Sequence, residues 1–263
     1  MSAQGRHASA PTAARLEEAG LNAVQTQRQV FYDGWLLRLS PGKAKRARSV
    51  NAHFGSTLPL DDKIAHCEKL YSSRGLPTLF RVTPVRHPPA LDAALEARGW
   101  VAFDPTLVQV MPLARPPDIA RRRADADIVL ESPSVAAFVE AVGTMRESPP
   151  HQRTAHLERL GNTPLPMLAL LATLDGAAVG AGQVALDGEL AGVFDVVTHE
   201  SVRGRGVATR IVERLLAWAW EHGATHAYLQ VEAGNAPALR IYERFGFVTV
   251  YEYHYRGRSG ACE

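Results

Sequence analysis

The spacing of apolar positions changes along the chain, and each change marks an element. Residues 16–24 repeat at helical spacing, and QVFYDGWLLRL (29–39) has the aromatic and apolar content of one long strand. Residues 59–74 begin acidic and put Ile64, Cys67, Leu70 and Tyr71 on one helical face, closed by Gly75. A strand at 78–82, a helix at 91–98, and strands near Trp100 and at 107–111 complete the first half. The stretch ARPPDIARRRADAD (114–127) has two prolines and no apolar periodicity, as expected of a linker. Its Arg121, Arg122 and Arg123 are most simply a solvated charge run.

The second half opens with a strand (DIVL) and a helix from Ser134. An irregular loop is expected at 143–163, where prolines mix with Arg146, Glu147, His151 and His156. Three apolar runs separated by Asp-Gly pairs then predict an antiparallel meander. A helix follows with Val207, Ile211, Leu215, Trp218 and Ala219 on one face, ended by Gly223. The strand HAYLQV, a helix at 237–245 and an alternating last strand, FVTVYEYHY, finish the pattern. The halves repeat. ALEARGWV (94–101) aligns with IYERFGFV (241–248) without a gap, and a helix, glycine and strand precede each. The expected organisation is an arm at 1–12, a first lobe at 13–113, the linker at 114–127, a second lobe at 128–258 and a tail at 259–263.

Composition narrows the function classes. With 46% hydrophobic residues in 263, the chain can build a substantial core. Its 29 basic and 27 acidic residues nearly cancel, so no global field recruits nucleic acid or an acidic membrane, and neither is expected as a partner. Cys67 and Cys262 have no metal-ligand spacing, which predicts no metal site and a reducing, cytoplasmic setting. Oligomeric state is open.

One short stretch concentrates charge against expectation. VRGRGVATR (202–210) sets arginines and two glycines at a predicted helix start, the positive end of the helix dipole. Open amides and glycines there suit a phosphate. A P-loop would need Gly-Lys-Ser/Thr, and a dinucleotide fingerprint would need a third glycine after a strand of a parallel unit; neither is present.

The pattern Arg203-x-x-Gly206-x-Ala208 resembles the R/Q-x-x-G-x-G/A motif of the GNAT superfamily of acyl-CoA-dependent N-acetyltransferases. Asn235, Ala238, Tyr242, Gly246 and Phe247 resemble that family's second element, so the likeness spans roughly residues 128–255. The first half is similar to the N-terminal part of a two-lobed bacterial subgroup, here with a degenerate N-terminal lobe. The resemblance implies an α/β fold of the α+β type, a mixed, mostly antiparallel sheet with flanking helices, in two tandem lobes. It implies that acetyl-CoA binds with its pyrophosphate on the amides of Gly204, Arg205, Gly206, Val207, Ala208 and Thr209, rimmed by Arg203 and Arg205. The pantetheine would lie along Val196, Val197 and Thr198, where one amide would hold an oxyanion, and Asn235 would touch the cofactor or cap its helix. Tyr242 would protonate the departing thiolate as general acid.

The family's glutamate position is occupied by Gly192. Asp195, in an apolar strand that demands a partner or a raised pKa, is the base candidate, with Glu189, His199 and Glu232 nearby. The acceptor, a primary amine on a small molecule or a protein, would enter over the 143–163 loop. The first half faces the RGRGVAT stretch with GSTLPLDD (55–62), and Leu95 stands opposite Tyr242, so only the second half is expected to hold cofactor. The alternative function is a non-catalytic acyl-CoA binding or sensing protein.

Overall fold

A computed structural model describes residues 9–115 and 127–260. Most of the expected linker, with Arg121, Arg122 and Arg123, and most of the expected arm and tail lie outside the described residues. In the first half, helix α1 (Ala13–Ala23) precedes strands β1 (Gln29–Tyr32), β2 (Trp35–Arg38) and β3 (Val50–Asn51). Helix α2 (Leu60–Ser72), β4 (Leu79–Val82), α3 (Leu91–Glu96) and β5 (Val101–Pro112) follow. The second half has β6 (Val129–Glu131), α4 (Val135–Met145), α5 (Pro150–Gly161), β7 (Met167–Leu174), β8 (Ala177–Asp187) and β9 (Leu190–Thr198). It continues through α6 (Val207–Glu221), β10 (His226–Glu232), α7 (Ala236–Phe245) and β11 (Val248–Gly257).

All eleven strands form one mixed, mostly antiparallel sheet in the order β1-β2-β3-β4-β11-β5-β10-β9-β8-β7-β6. Each half contains one parallel pair, β3 with β4 and β9 with β10, bridged by α2 and α6 respectively. That recurrence is the structural counterpart of the sequence repeat. The last strand of each half is exchanged: β5 pairs with β10 over seven residues, and β11 pairs with β5 on one side and β4 on the other. A cut at 114–127 therefore divides the sequence without dividing the sheet.

Three local expectations are corrected. Residues 29–39 are a hairpin, because Asp33 (φ 41°) and Gly34 (φ 82°) make a two-residue turn whose handedness matches strand twist. The strands near Trp100 and at 107–111 are one strand, β5, which passes through Asp104 at φ 49°. The 143–163 loop is mostly helix: Pro149 is the N-cap and Pro150 the first residue of α5, where a proline's missing N–H costs nothing. Only residues 146–149 connect α4 to α5.

Helix α6 buries Val207, Ile211, Leu215 and Ala219 against the meander. The close approach requires glycine beneath it. A Cβ on Gly180 would stand 2.7 Å from Val207 Cγ1, and one on Gly182 2.6 Å from Ile211 Cγ2. These two glycines let the start of α6 settle on β8, which sets the height of the glycine-arginine turn above the sheet.

Candidate active site

The turn before α6 has the backbone geometry that suits an anion. Gly204 (φ 80°) and Gly206 (φ 81°) both occupy the left-handed region, and Gly206 is the N-cap of α6. The first intrahelical bond is Arg210 N–H to the Gly206 carbonyl, so the amides of Val207, Ala208 and Thr209 have no acceptor inside the helix. The Arg205 amide is different: it donates to the Val202 carbonyl at 3.2 Å and is spent. Arg203 and Gly204 are exposed beside these amides.

From the seat, a cleft runs between two strands that part. Strand β10 pairs with β9 only from His226↔Leu190 to Leu229↔Val193, then follows β5 to Glu232. The edge of β9 that faces β10 is thus unpaired over Val196, Val197 and Thr198. A β-bulge causes the divergence. Ala181 faces Val197 while Gln183 faces Phe194, one residue too many on β9, and Asp195 within it has φ 53°.

Asp195 holds that bulge in place. Its carboxylate accepts from Arg146 Nη1 at 2.7 Å, Arg159 Nη2 at 3.3 Å and Gln183 Nε2 at 2.6 Å. His156 Nε2 lies 3.2 Å away without a well-aligned hydrogen bond. Burial alone would raise this carboxyl's pKa, but His156, Arg146 and Arg159 outweigh it and hold the group well below the usual carboxylate range. A carboxylate so stabilised has little pull on a proton, which weighs against the base role expected of Asp195, and its hydrogen bonds tie α4 and α5 to the bulge.

Two adjoining cavities flank Asp195. One, of about 350 Å³, is lined by Val193, Val196, Asn235, Ala238 and Tyr242. The other, of about 460 Å³, opens beyond it between α4, α5 and residues 40–47 of the first half. Both share Arg46, Arg146, Arg159, Asp195 and Glu232. Tyr242 is buried, and burial pushes its phenol up to about 12 against a smaller downward pull from Arg146, so it keeps its proton at neutral pH. Asn235 caps α7, its Oδ1 accepting from the Ala238 amide at 3.2 Å, and it also lines the smaller cavity.

The other titratable candidates separate by position. Glu189 sits at the paired end of β9, its carbonyl accepting from the Thr225 and His226 amides. His199 Nδ1 accepts from the Ser201 amide in a short 3-10 turn and lines neither cavity. Glu232 lines both cavities and is exposed. Of the four residues expected to line the 143–163 segment, Arg146 and His156 reach the site; His151 and Glu147 are exposed and line neither cavity. Gly192 cannot accept a glutamate without repacking, since a Cβ there would meet the Phe194 ring at 2.5 Å and the Tyr228 hydroxyl at 2.6 Å. Sequence reasoning missed Arg46, Arg159, Gln183 and Gln230. The only signal was the run of cations in PGKAKRARS, which lies far from the motifs it serves.

The corresponding place in the first half holds the protein's own anion. Between β3 and α2, the Asp33 carboxylate accepts from the Thr57 amide at 3.0 Å and the Leu58 amide at 2.9 Å, with Lys63 Nζ 3.2 Å away. Those amide bonds hold the Asp33 carboxyl below its ordinary pKa. Leu95, at the position of Tyr242, is fully buried.

A helix-start anion seat opening onto parted parallel strands, in this mixed sheet, defines an acyltransferase of the GNAT superfamily. The fold is shared with a GCN5-related N-acetyltransferase from Kribbella flavida at TM-score 0.68 and 20% identity, covering 94% of this chain and 95% of that one. It is shared too with a tandem GNAT protein from the clavulanic acid biosynthesis pathway at TM-score 0.60 and 18% identity, covering 74% and 68%. More particularly, the chain belongs to the family described as "Probable histone acetyltransferase Rv0428c C-terminal", whose model matches residues 12–256. An uncharacterized N-acetyltransferase, YobR of Bacillus subtilis, is 29% identical over 228 residues, 84% of this chain and 89% of that protein. The mycothiol acetyltransferase of Corynebacterium glutamicum is 42% identical over 66 residues, 25% of this chain and 22% of its own length. No helix among the described residues is long and apolar enough to cross a membrane.

Proposed function

We propose that this acyltransferase moves an acetyl group from acetyl-CoA to a primary amine by direct attack, using the second-half seat and cleft. The observation that carries the reading is continuity: free amides at the start of α6, an unpaired β9 edge and a buried tyrosine lie along one path. The donor fits the residues present. Amides of Val207, Ala208 and Thr209 would take the pyrophosphate, with Gly204 and Gly206 permitting close approach and Arg203 supplying rim charge. Acetyl-CoA supplies the activated thioester. Tyr242 holds a proton for the leaving sulfur, and the unpaired edge at Val196, Val197 and Thr198 offers backbone donors. Glu232 and His156 are among the titratable groups lining the amine's side of the cleft, and Glu232, which is exposed, can pass a proton to solvent water. An amine acceptor agrees with the relatives' names as N-acetyltransferases.

The test is thermal shift with acetyl-CoA combined with thiol release across an amine panel, for the wild type and Tyr242→Phe. Loss of the phenol lowers turnover by roughly 10²–10⁴-fold while acetyl-CoA affinity changes little. Stabilisation by acetyl-CoA with no thiol release on any amine would replace this reading with a sensing role.

A further inference from the structure

The cavity beyond Asp195 has more cations than its carboxylates can match. Two of its charges cancel locally, Lys45 against Asp104 and Arg153 against Glu140. What remains at the centre is Arg46, Arg146 and Arg159 around the single carboxylate of Asp195, with exposed Glu232 at the edge. Arg159 is deeply placed, its side chain 10% exposed. Burial lowers its pKa, Asp195 raises it, and the fields of Arg46 and Arg146 lower it again, so the three guanidiniums feel one another.

Arg46 is the cation in surplus. It comes from the first half, where Nη1 donates to the Gly20 carbonyl at 3.2 Å and Nη2 to Gln230 Oε1. Among the described residues no carboxylate lies within ion-pair distance of it, and its Nε is buried without a hydrogen-bond partner. Buried donors of this kind are costly to leave unmet, and guanidinium forks match carboxylate and phosphate oxygens.

Resting on the acetyl-transfer reading above, we infer that the acceptor is a small amine that itself carries a carboxylate or phosphate, which Arg46, with Arg146 and Arg159, binds. The first half thus completes the acceptor pocket through its 40–47 loop, although its own anion seat is filled by Asp33. The surplus has a second effect. Cations around the amine disfavour its ammonium form, which makes the neutral nucleophile easier to reach without a glutamate at position 192. A lysine-rich tail would instead bring positive charge to positive charge.

The experiment uses the full chain and two readouts. Thiol release from acetyl-CoA is measured with L-glutamate and O-phosphoethanolamine against their neutral counterparts, L-glutamine amide and ethanolamine, and against a lysine-rich peptide. Separately, binding of N-acetyl-L-glutamate, N-acetyl-O-phosphoethanolamine and the neutral diamide of N-acetylglutamate to the CoA-loaded protein is measured by calorimetry. At least one anionic amine is expected to exceed its neutral counterpart by roughly 10- to 100-fold in kcat/KM, as a charged hydrogen bond supplies. The better of the two distinguishes carboxylate from phosphate. Arg46→Gln is expected to raise KM for that substrate by about tenfold, well beyond its effect on the neutral amine, whose loss is confined to the field the guanidinium exerts on the amine. Equal or better use of neutral amines or the peptide, or no preference of the loaded protein for the N-acetyl anions, overturns the inference and leaves acetyl transfer standing. Preferential binding of the N-acetyl anions with no thiol release from any amine upholds the charge argument and removes the acetyl-transfer reading.

Discussion

Replacing Asp195 by Asn removes the carboxylate that Arg146 and Arg159 share while preserving its shape. Asp195 is 13% exposed at the side chain and Arg159 10%, so the variant leaves guanidinium charge largely out of water with only an amide to face. Breaking a buried pair in this way costs about 3–5 kcal/mol. In a chain of this size that corresponds to a fall in Tm of roughly 10 °C. Urea unfolding followed by circular dichroism reads the loss directly. The pH dependence is signed. The native Asp195 carboxyl titrates below its unfolded value, so its contribution is complete above about pH 4 and disappears as pH falls through the lower native pKa. The gap between wild type and variant should therefore be flat from pH 5 to 8 and close in stronger acid, over a range set by those two values. A variant within about 1 kcal/mol of wild type at pH 7 would refute the argument, because it would mean that water already screens the cluster.

Other expectations follow from single features. Gly182→Val forces a Cβ toward Ile211, so α6 must lift from β8; acetyl-CoA affinity should fall by about tenfold or more, checked by calorimetry, with a stability loss of about 1–3 kcal/mol. His53 is largely shielded from water and its pKa is lowered to about 4, chiefly by desolvation, so wild-type stability should drop as pH falls from 6.5 to 4 by up to about 3 kcal/mol. His53→Gln should flatten that slope, and an unchanged slope would assign it to other groups. Cys67, buried and with its thiol pushed up to about 12, should resist iodoacetamide in the native protein and react on unfolding, as read by peptide mass mapping.

Much of the site was legible from local patterns, and the reason is that its parts are local. Gly204 and Gly206 face the left-handed region, and the α6 amides are unpaired because any helix start leaves them so. Asn235 and Tyr242 keep their spacing on one short helix. The prolines at 149 and 150 were misread because a proline interrupts a helix or begins one depending on which side the helix lies. Asp195 was legible as an anomaly, but the direction of its pKa shift was not, since that depends on cations delivered by α4 and α5.

The sequence by itself determined the class of fold, the repeat of two halves, the two-glycine turn at the start of α6 and the absence of that motif from the first half. Each depends on residues within a few turns of one another, where spacing and backbone preference suffice. Tertiary structure alone decided the exchange of β5 and β11, because alternating strands do not name their partners across some 150 residues. It also brought Arg46 beside Arg146 and Arg159. Three cations from separate elements acquire a joint meaning only when folding removes the water between them, and that surplus is the ground on which an anionic amine is proposed as the acceptor.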